Sequence, residues 1–528
     1  MEGLSAALGH PRSAGVISAA ELGRRLAGHG ELALLDVREQ GVHYRGHPFY
    51  ASSAPLSRLE MVIADLVPRR AAPVVVFDAG EGFAEKAGAR LAKLGYTSVQ
   101  ILEGGCAAWQ AAGGELFSGI NVPSKAFGEF VEHRYETPRI SAADLRELQG
   151  SGMKMVILDS RPFEEYQRMC IPGGIDTPGA ELAWRVHDLA PDPDTPVVVN
   201  CAGRTRSIIG CQSLRNAGIP NRVVALKDGT MGWELAGYGC ERGAGRHAAD
   251  PSPAARAKAQ AAAEQVVRRY GVKFTDAGTV TRWLADEKRT TYLLDVRTRQ
   301  EYEAGHIAGS RHAPGGQLVQ ATDEYMAVRH ARVVLVDPER VRAVMTASWL
   351  GQMGWHDVYV LSSLAGFAIE QGARRPTVLG LAPWPRTREP QGAVLDFSTS
   401  LRFHQRHIPG AWWVVRSRLD EARRAIGEAK ALTLTSEDGI LAELAAPDVA
   451  RRWPEAEVRV LEGGNAAWPG PWESGVERAT TTRDDVWYKP YDHETTTFEQ
   501  HAREYLAWEV ALIEQIKRDP TIRFGIPY

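Results

Sequence analysis

The chain has 528 residues, too many for one hydrophobic core and enough for several domains of about 100 to 200 residues each. Its 62 basic and 65 acidic residues nearly cancel, so no global field argues for nucleic acid or an anionic membrane as partner. Five cysteines make no disulfide framework, fifteen histidines show no ligand spacing, and no apolar run approaches the roughly 20 residues of a membrane span. The opening Met1 to Leu8 lacks a basic stretch followed by an apolar core, so no signal peptide is expected and the protein is expected to be cytoplasmic.

From the start of the chain, Ile17-Ser18-Ala19-Ala20-Glu21-Leu22 predicts a strand end, a capping Ser and a helix with an acid in its first turn; Ile140-Ser141-Ala142-Ala143-Asp144-Leu145 repeats it. An Asp at the end of an apolar strand recurs at Asp36, Asp159, Asp295 and Asp396, the first three followed two residues on by Arg38, Arg161 and Arg297. A second strand end lies 42 residues further at Asp78, Cys201 and Asp337, and 40 residues further at Ser436. Glu103-Gly104-Gly105 with Trp109, Asp228-Gly229 with Trp233, and Glu462-Gly463-Gly464 with Trp468 close three of the copies, while the third has only Ser362-Ser363 and Phe367. Units this long are a tandem domain duplication, and their alternation of strands and helices predicts four doubly wound α/β domains with mostly parallel central sheets.

The expected domains span 14–118, 136–243, 272–376 and 388–474, with 244–271 a linker whose second half is helical and 475–528 an aromatic loop followed by an amphipathic helix. The fourth copy is expected to lack its leading helix. The first two copies are expected to form a compact pair that works without the rest, and the C-terminal helix to pack back on the last domains.

One strand end carries a thiol. Val197-Val198-Val199-Asn200 reads as a buried strand ending at Cys201, followed by a short loop and a helix from Ser207 to Leu214. Loop amides and the positive end of a helix favour a thiolate and bind anions, and Arg204 and Arg206 are expected to add free positive charge. Asp78 and Asp337 are acceptor-only when ionised and Ser436 has no base beside it, so those three copies are expected to be inactive.

Cys201-Ala202-Gly203-Arg204-Thr205-Arg206-Ser207 resembles the active-site loop of rhodaneses, the sulfurtransferases that carry sulfur as a cysteine persulfide. Leu158-Asp159-Ser160-Arg161 with Glu165-Tyr166, and Asp228-Gly229 with Trp233, are similar to segments flanking that loop in the family; Cys170 stands where the family often has His. The resemblance implies Cys201 as the catalytic residue and Ala202, Gly203, Arg204, Thr205, Arg206 and Ser207 as the substrate-binding loop, with no metal and no cofactor. It implies thiosulfate or a similar anionic small-molecule donor, a thiol or cyanide acceptor, and a protein as a further possible sulfur acceptor. A sulfur-relay or regulatory module and a cysteine-dependent phosphatase are the competing readings; the phosphatase pattern wants five residues between Cys and Arg, whereas Cys201 and Arg206 are separated by four.

Overall fold

The computed structural model describes residues 14–493 and 495–525; the stretch read for a leader, Met1 to Leu8, lies outside the described residues. Each of the four copies has a parallel five-stranded sheet whose strands, counted along the chain within the copy, lie in the spatial order 1-5-4-2-3. The fourth strand, at the centre, is Val74–Phe77, Val197–Asn200, Arg332–Val336 or Ala431–Thr435. These strands are β-branched and apolar because helices cover both faces of a parallel sheet. In register, Asp36 pairs with Phe77, Asp159 with Asn200, Asp295 with Val336 and Asp396 with Thr435. Asp78, Cys201, Asp337 and Ser436, each the next residue, are therefore equivalent in space as well as in sequence.

The cap signals form as predicted. Ser18 Oγ accepts from Glu21 N at 3.3 Å, and Ser141 Oγ from Asp144 N at 3.1 Å. The linker helix runs over Pro253–Tyr270, capped by Ser252, and no helix lies between the first two strands of the fourth copy, Arg386–Thr387 and Ala393–Asp396.

The pairing of copies differs from the expectation. The described residues divide into two compact units, one comprising 14–24, 32–120 and 376–488 and the other 25–31, 121–375 and 489–525. The first copy thus joins the fourth, and the second joins the third. Within the first unit, Arg416 of copy 4 reaches Glu60 of copy 1 at 2.9 and 3.1 Å, and its Nε donates to Asp448 at 2.8 Å; Arg416 and Glu60 are both buried. Within the second unit, fully buried Arg342 of copy 3 reaches Glu181 of copy 2 at 3.1 Å. The linker helix lays its buried face of Ala255, Ala259, Ala262, Ala263 and Val266 against the helices Glu181–Leu189 of copy 2 and Val341–Gln352 of copy 3, so it is a joint and not a spacer.

One further element of the second unit escaped the sequence reading: a helix over Val122–Tyr135 that precedes copy 2. The expected C-terminal helix forms over Phe498–Ile516, but it packs on this missed helix and not on the last domains.

A chain ending at Ala244 would keep copy 2 but strip it of the linker helix, copy 3 and the C-terminal helix. It would expose Trp184, which is 3% exposed in the whole protein and lies under Arg256 of the linker helix and Arg342 of copy 3. We expect it to aggregate or to lose its cooperative unfolding transition, as judged by sedimentation and thermal circular dichroism; a soluble, cooperatively folded and active fragment would restore the pairing expected from sequence.

Candidate active site

Cys201 lies at the end of the central strand of copy 2 and is 2% exposed. The helix that follows is Thr205–Asn216, two residues longer at its start than the periodicity placed it. The Cys201 thiol lies 3.6 Å from Ser207 Oγ, whose hydroxyl donates to the Arg204 carbonyl at 2.7 Å.

The loop is held from behind by the closing motif. Thr230 N donates to the Cys201 carbonyl and Met231 N to the Ala202 carbonyl, both at 2.9 Å. Gly229 makes this approach possible: its φ is +55°, and a Cβ there would sit 2.3 Å from the Cys201 oxygen. Because a trans peptide points its N–H opposite its C=O, carbonyls drawn to Thr230 and Met231 turn the amides of Ala202 and Gly203 the other way. Among the described residues, no backbone N–H from Ala202 to Ser207 donates to an acceptor outside this loop and its helix. The result is a concave set of free donors at a helix N-terminus.

Two sister copies show what such a loop holds. Asp78 accepts from the amides of Gly80 at 3.0 Å, Phe83 at 2.7 Å and Ala84 at 3.0 Å. Asp337 accepts from those of Glu339 at 3.2 Å, Arg342 at 2.8 Å and Ala343 at 3.3 Å. In both loops the donors stand two, five and six residues after the acid, positions occupied in copy 2 by Gly203, Arg206 and Ser207. In copy 4, Ala442 N donates to Ser436 Oγ at 3.3 Å from the same sixth position.

The expected free charge of the two arginines is not what the structure holds. Arg204 forms a bidentate pair with Glu129 at 2.7 Å on both bonds, and adds Glu132 at 2.5 Å and Asp228 at 3.2 Å. Burial pushes the Glu129 carboxyl up, and Arg204 pulls it back only in part. Arg206 pairs with Glu165 at 3.1 and 2.8 Å and reaches Gln317 of copy 3 at 3.2 Å. Burial would raise the Glu165 carboxyl, but Arg206, with Lys489 and Arg161 beyond it, holds it down at about 2. Each guanidinium is thus matched by carboxylate, because a buried cation needs one.

Behind the loop, the Asp159–Arg161 pair is fully inside: Arg161 Nε and Nη2 meet the two carboxylate oxygens at 2.9 and 2.7 Å, and Nη2 also holds the Met169 carbonyl at 2.6 Å. Asn200 Nδ2 donates to the same carboxylate at 3.0 Å, tying it to the residue before Cys201. At the other cysteines burial disfavours the thiolate: it pushes Cys106 up to about 11 and Cys211 and Cys240 up to about 12, and raises Cys170 as well.

Sequence reasoning missed the groups that reach the loop from outside the repeat. Thr205 Oγ1 donates to Glu509 Oε1 at 3.2 Å, and Lys125 Nζ lies 2.8 Å from the same oxygen. The signal was present: Glu509 is a charged residue in the otherwise apolar stripe of the C-terminal helix, and it is fully buried.

The rhodanese-like domain profile matches residues 18–112, 141–236 and 276–363, together just over half of the chain. Copy 4 lies outside these matches but shares the sheet order. A crystal structure of a thiosulfate sulfurtransferase from Pseudomonas aeruginosa is 47% identical and superposes with a TM-score of 0.93, covering 97% of this chain and 99% of that one. The HTH-type transcriptional regulator Rv0324 of Mycobacterium tuberculosis is 38% identical over 106 residues, 20% of this chain and 45% of its own length, so the likeness spans under half of that regulator. A putative sulfur carrier protein, YrkF of Bacillus subtilis, is 25% identical over 134 residues, 24% of this chain and 71% of its own. From profile matches in three copies and near-complete superposition on a thiosulfate sulfurtransferase, the chain belongs to the rhodanese family.

Proposed function

We propose that this sulfurtransferase of the rhodanese type moves a sulfane sulfur from thiosulfate, or a similar anionic donor, to a thiol or cyanide acceptor through a persulfide on Cys201. The observation that carries this reading is the set of free amides around Cys201, matched in copies 1 and 3 by amides that hold a carboxylate. A persulfide anion extends a negative atom beyond the Cys201 sulfur, as the Asp carboxyl extends its oxygens from the same backbone position. In the first half-reaction the Cys201 thiolate attacks the outer sulfur of thiosulfate, the S–S bond breaks and sulfite leaves with its electron pair. The loop amides and the helix N-terminus stabilise negative charge on sulfur before and after the transfer.

Copies 1, 3 and 4 offer no thiol at the equivalent position, and in copies 1 and 3 the amides are already filled by Asp78 and Asp337. Their part in the reaction is structural. All five cysteines are free, which suits the reducing cytoplasm, and among the described residues no helix is long and apolar enough to cross a membrane. The likeness to the Pseudomonas thiosulfate sulfurtransferase supports thiosulfate as donor. Arg206 is the charged side chain of the loop nearest to being available for it, because one acid opposes it where three oppose Arg204.

Cys201→Ser is expected to abolish thiocyanate formation from thiosulfate and cyanide, and intact-mass analysis should find one added sulfur on the native protein alone. Activity persisting in that variant would move the carrier elsewhere. Gly229→Ala, which places a methyl against the Cys201 carbonyl, is expected to lower kcat by about 100-fold while near-native circular dichroism is retained; an unchanged kcat would dismiss the oriented amides. Glu165→Gln leaves Arg206 unopposed and should lower KM for thiosulfate at low ionic strength, the gain fading as salt screens it. A KM that does not respond at any salt concentration would remove Arg206 from donor capture.

A further inference from the structure

Resting on the reading of Cys201 as sulfur carrier, we infer that the C-terminal segment makes the site selective for slender acceptors, cyanide and low-molecular-mass thiols, and shuts out protein thiols. Residues 489–491 and 498–509 reach Glu165, the closing motif and the loop glycine Gly203. At its start, Lys489 adds to the charges acting on Glu165, and the Tyr491 carbonyl accepts from Arg168 at 2.7 Å. The Tyr491 hydroxyl lies 3.1 Å from Thr230 Oγ1, beside the amide that anchors the Cys201 carbonyl. The Tyr491 ring stacks on Phe498 at 4.9 Å, which joins this strap to the first turn of the C-terminal helix.

The helix then crosses Gly203. A Cβ on Gly203 would meet Glu509 Oε2 at 3.0 Å, Tyr505 Cε1 at 3.3 Å and Leu506 Cδ2 at 3.7 Å. The loop residue two places after the cysteine is therefore buried under side chains from a different part of the chain, and Cys201 itself is 2% exposed. A second observation concerns what can enter. Glu509 Oε1 is used by Thr205, Lys125 and Tyr505, whereas Oε2 is buried beside Gly203 with no hydrogen-bond partner. A buried acceptor left open is costly, and a small thiol that enters beside Gly203 brings an S–H donor to it. The surface of a folded acceptor protein would first have to displace the strap and the helix.

The full-length protein is loaded with thiosulfate, and intact mass establishes the added sulfur on Cys201; failure at this step refutes the underlying reading before any acceptor is present. The loaded protein is then discharged by dithiothreitol or by reduced thioredoxin at equal thiol concentration. Both do the same chemistry. One thiolate attacks the outer sulfur and Cys201 leaves as thiolate; the second thiol then closes a disulfide and the sulfur departs as hydrosulfide, so the dithiol is oxidised and the sulfane sulfur reduced. Dithiothreitol is expected to be at least about 100-fold faster, and Leu506→Ala to narrow that gap by about tenfold. Thioredoxin discharging the native protein as fast as dithiothreitol would overturn the inference. A gap unmoved both in Leu506→Ala and in Tyr491→Ala/Leu506→Ala would also overturn it, by placing the barrier outside this segment.

Discussion

The orientation of the peptides that follow Cys201 depends on where two carbonyls go. With the Cys201 and Ala202 oxygens bonded to the amides of Thr230 and Met231, planar peptides have no choice but to present N–H groups on the opposite side. The arrangement requires a residue without a side chain at 229, where the closing helix starts in a left-handed turn. The same device recurs at Gly105 against Asp78 and at Gly464 against Ser436, where a Cβ would lie 2.2 and 2.3 Å from the loop carbonyl. It is a property of the loop rather than of the thiol. Copy 3 has lost the glycine pair, and there the Asp337 carbonyl accepts from Arg340 N within its own turn at 2.9 Å.

Three other strand ends fill the same place with oxygen. In copy 3 the substitution has become a bolt: Arg342, anchored on Asp337 at 2.9 Å and on Glu301, reaches across to Glu181 of copy 2. A buried ion pair gives modest net stability, but breaking one side leaves an uncompensated charge at a cost of about 3 to 5 kcal/mol, so such contacts fix which copy meets which. The Glu60–Arg416 pair does the same for copies 1 and 4. Duplicated domains of one fold need such marks, since their apolar faces are alike. The first-and-second pairing expected from sequence had no such mark behind it, only equal spacing and the long Ala- and Arg-rich joint that follows copy 2.

Charge around the cysteine follows the same logic. Two arginines near a thiol read in sequence as a basic site, but a guanidinium that packs inside must find carboxylate, and the acids come from outside the loop: Glu129 and Glu132 from the helix before copy 2, Glu165 from the start of the same domain. Positive potential for an anion then comes chiefly from oriented amides, which need no counterion. The unit around Cys201 is assembled from copy 2, the helix that precedes it, a glutamine of copy 3 and the end of the chain.

The amino-acid sequence by itself determined the four-domain α/β order, the equivalence of Asp78, Cys201, Asp337 and Ser436, the helix caps at Ser18 and Ser141, the linker helix and the single strand end of the four that carries a thiol. Each is a local pattern of residue type and spacing, set by the geometry of strand, turn and helix within one copy. Only the tertiary structure decided that copy 2 pairs with copy 3, that Arg204 and Arg206 are matched by acids, and that Tyr505, Leu506 and Glu509 lie over Gly203. Those contacts join residues up to about 300 positions apart, and their energy depends on burial and facing charge, which no local spacing records.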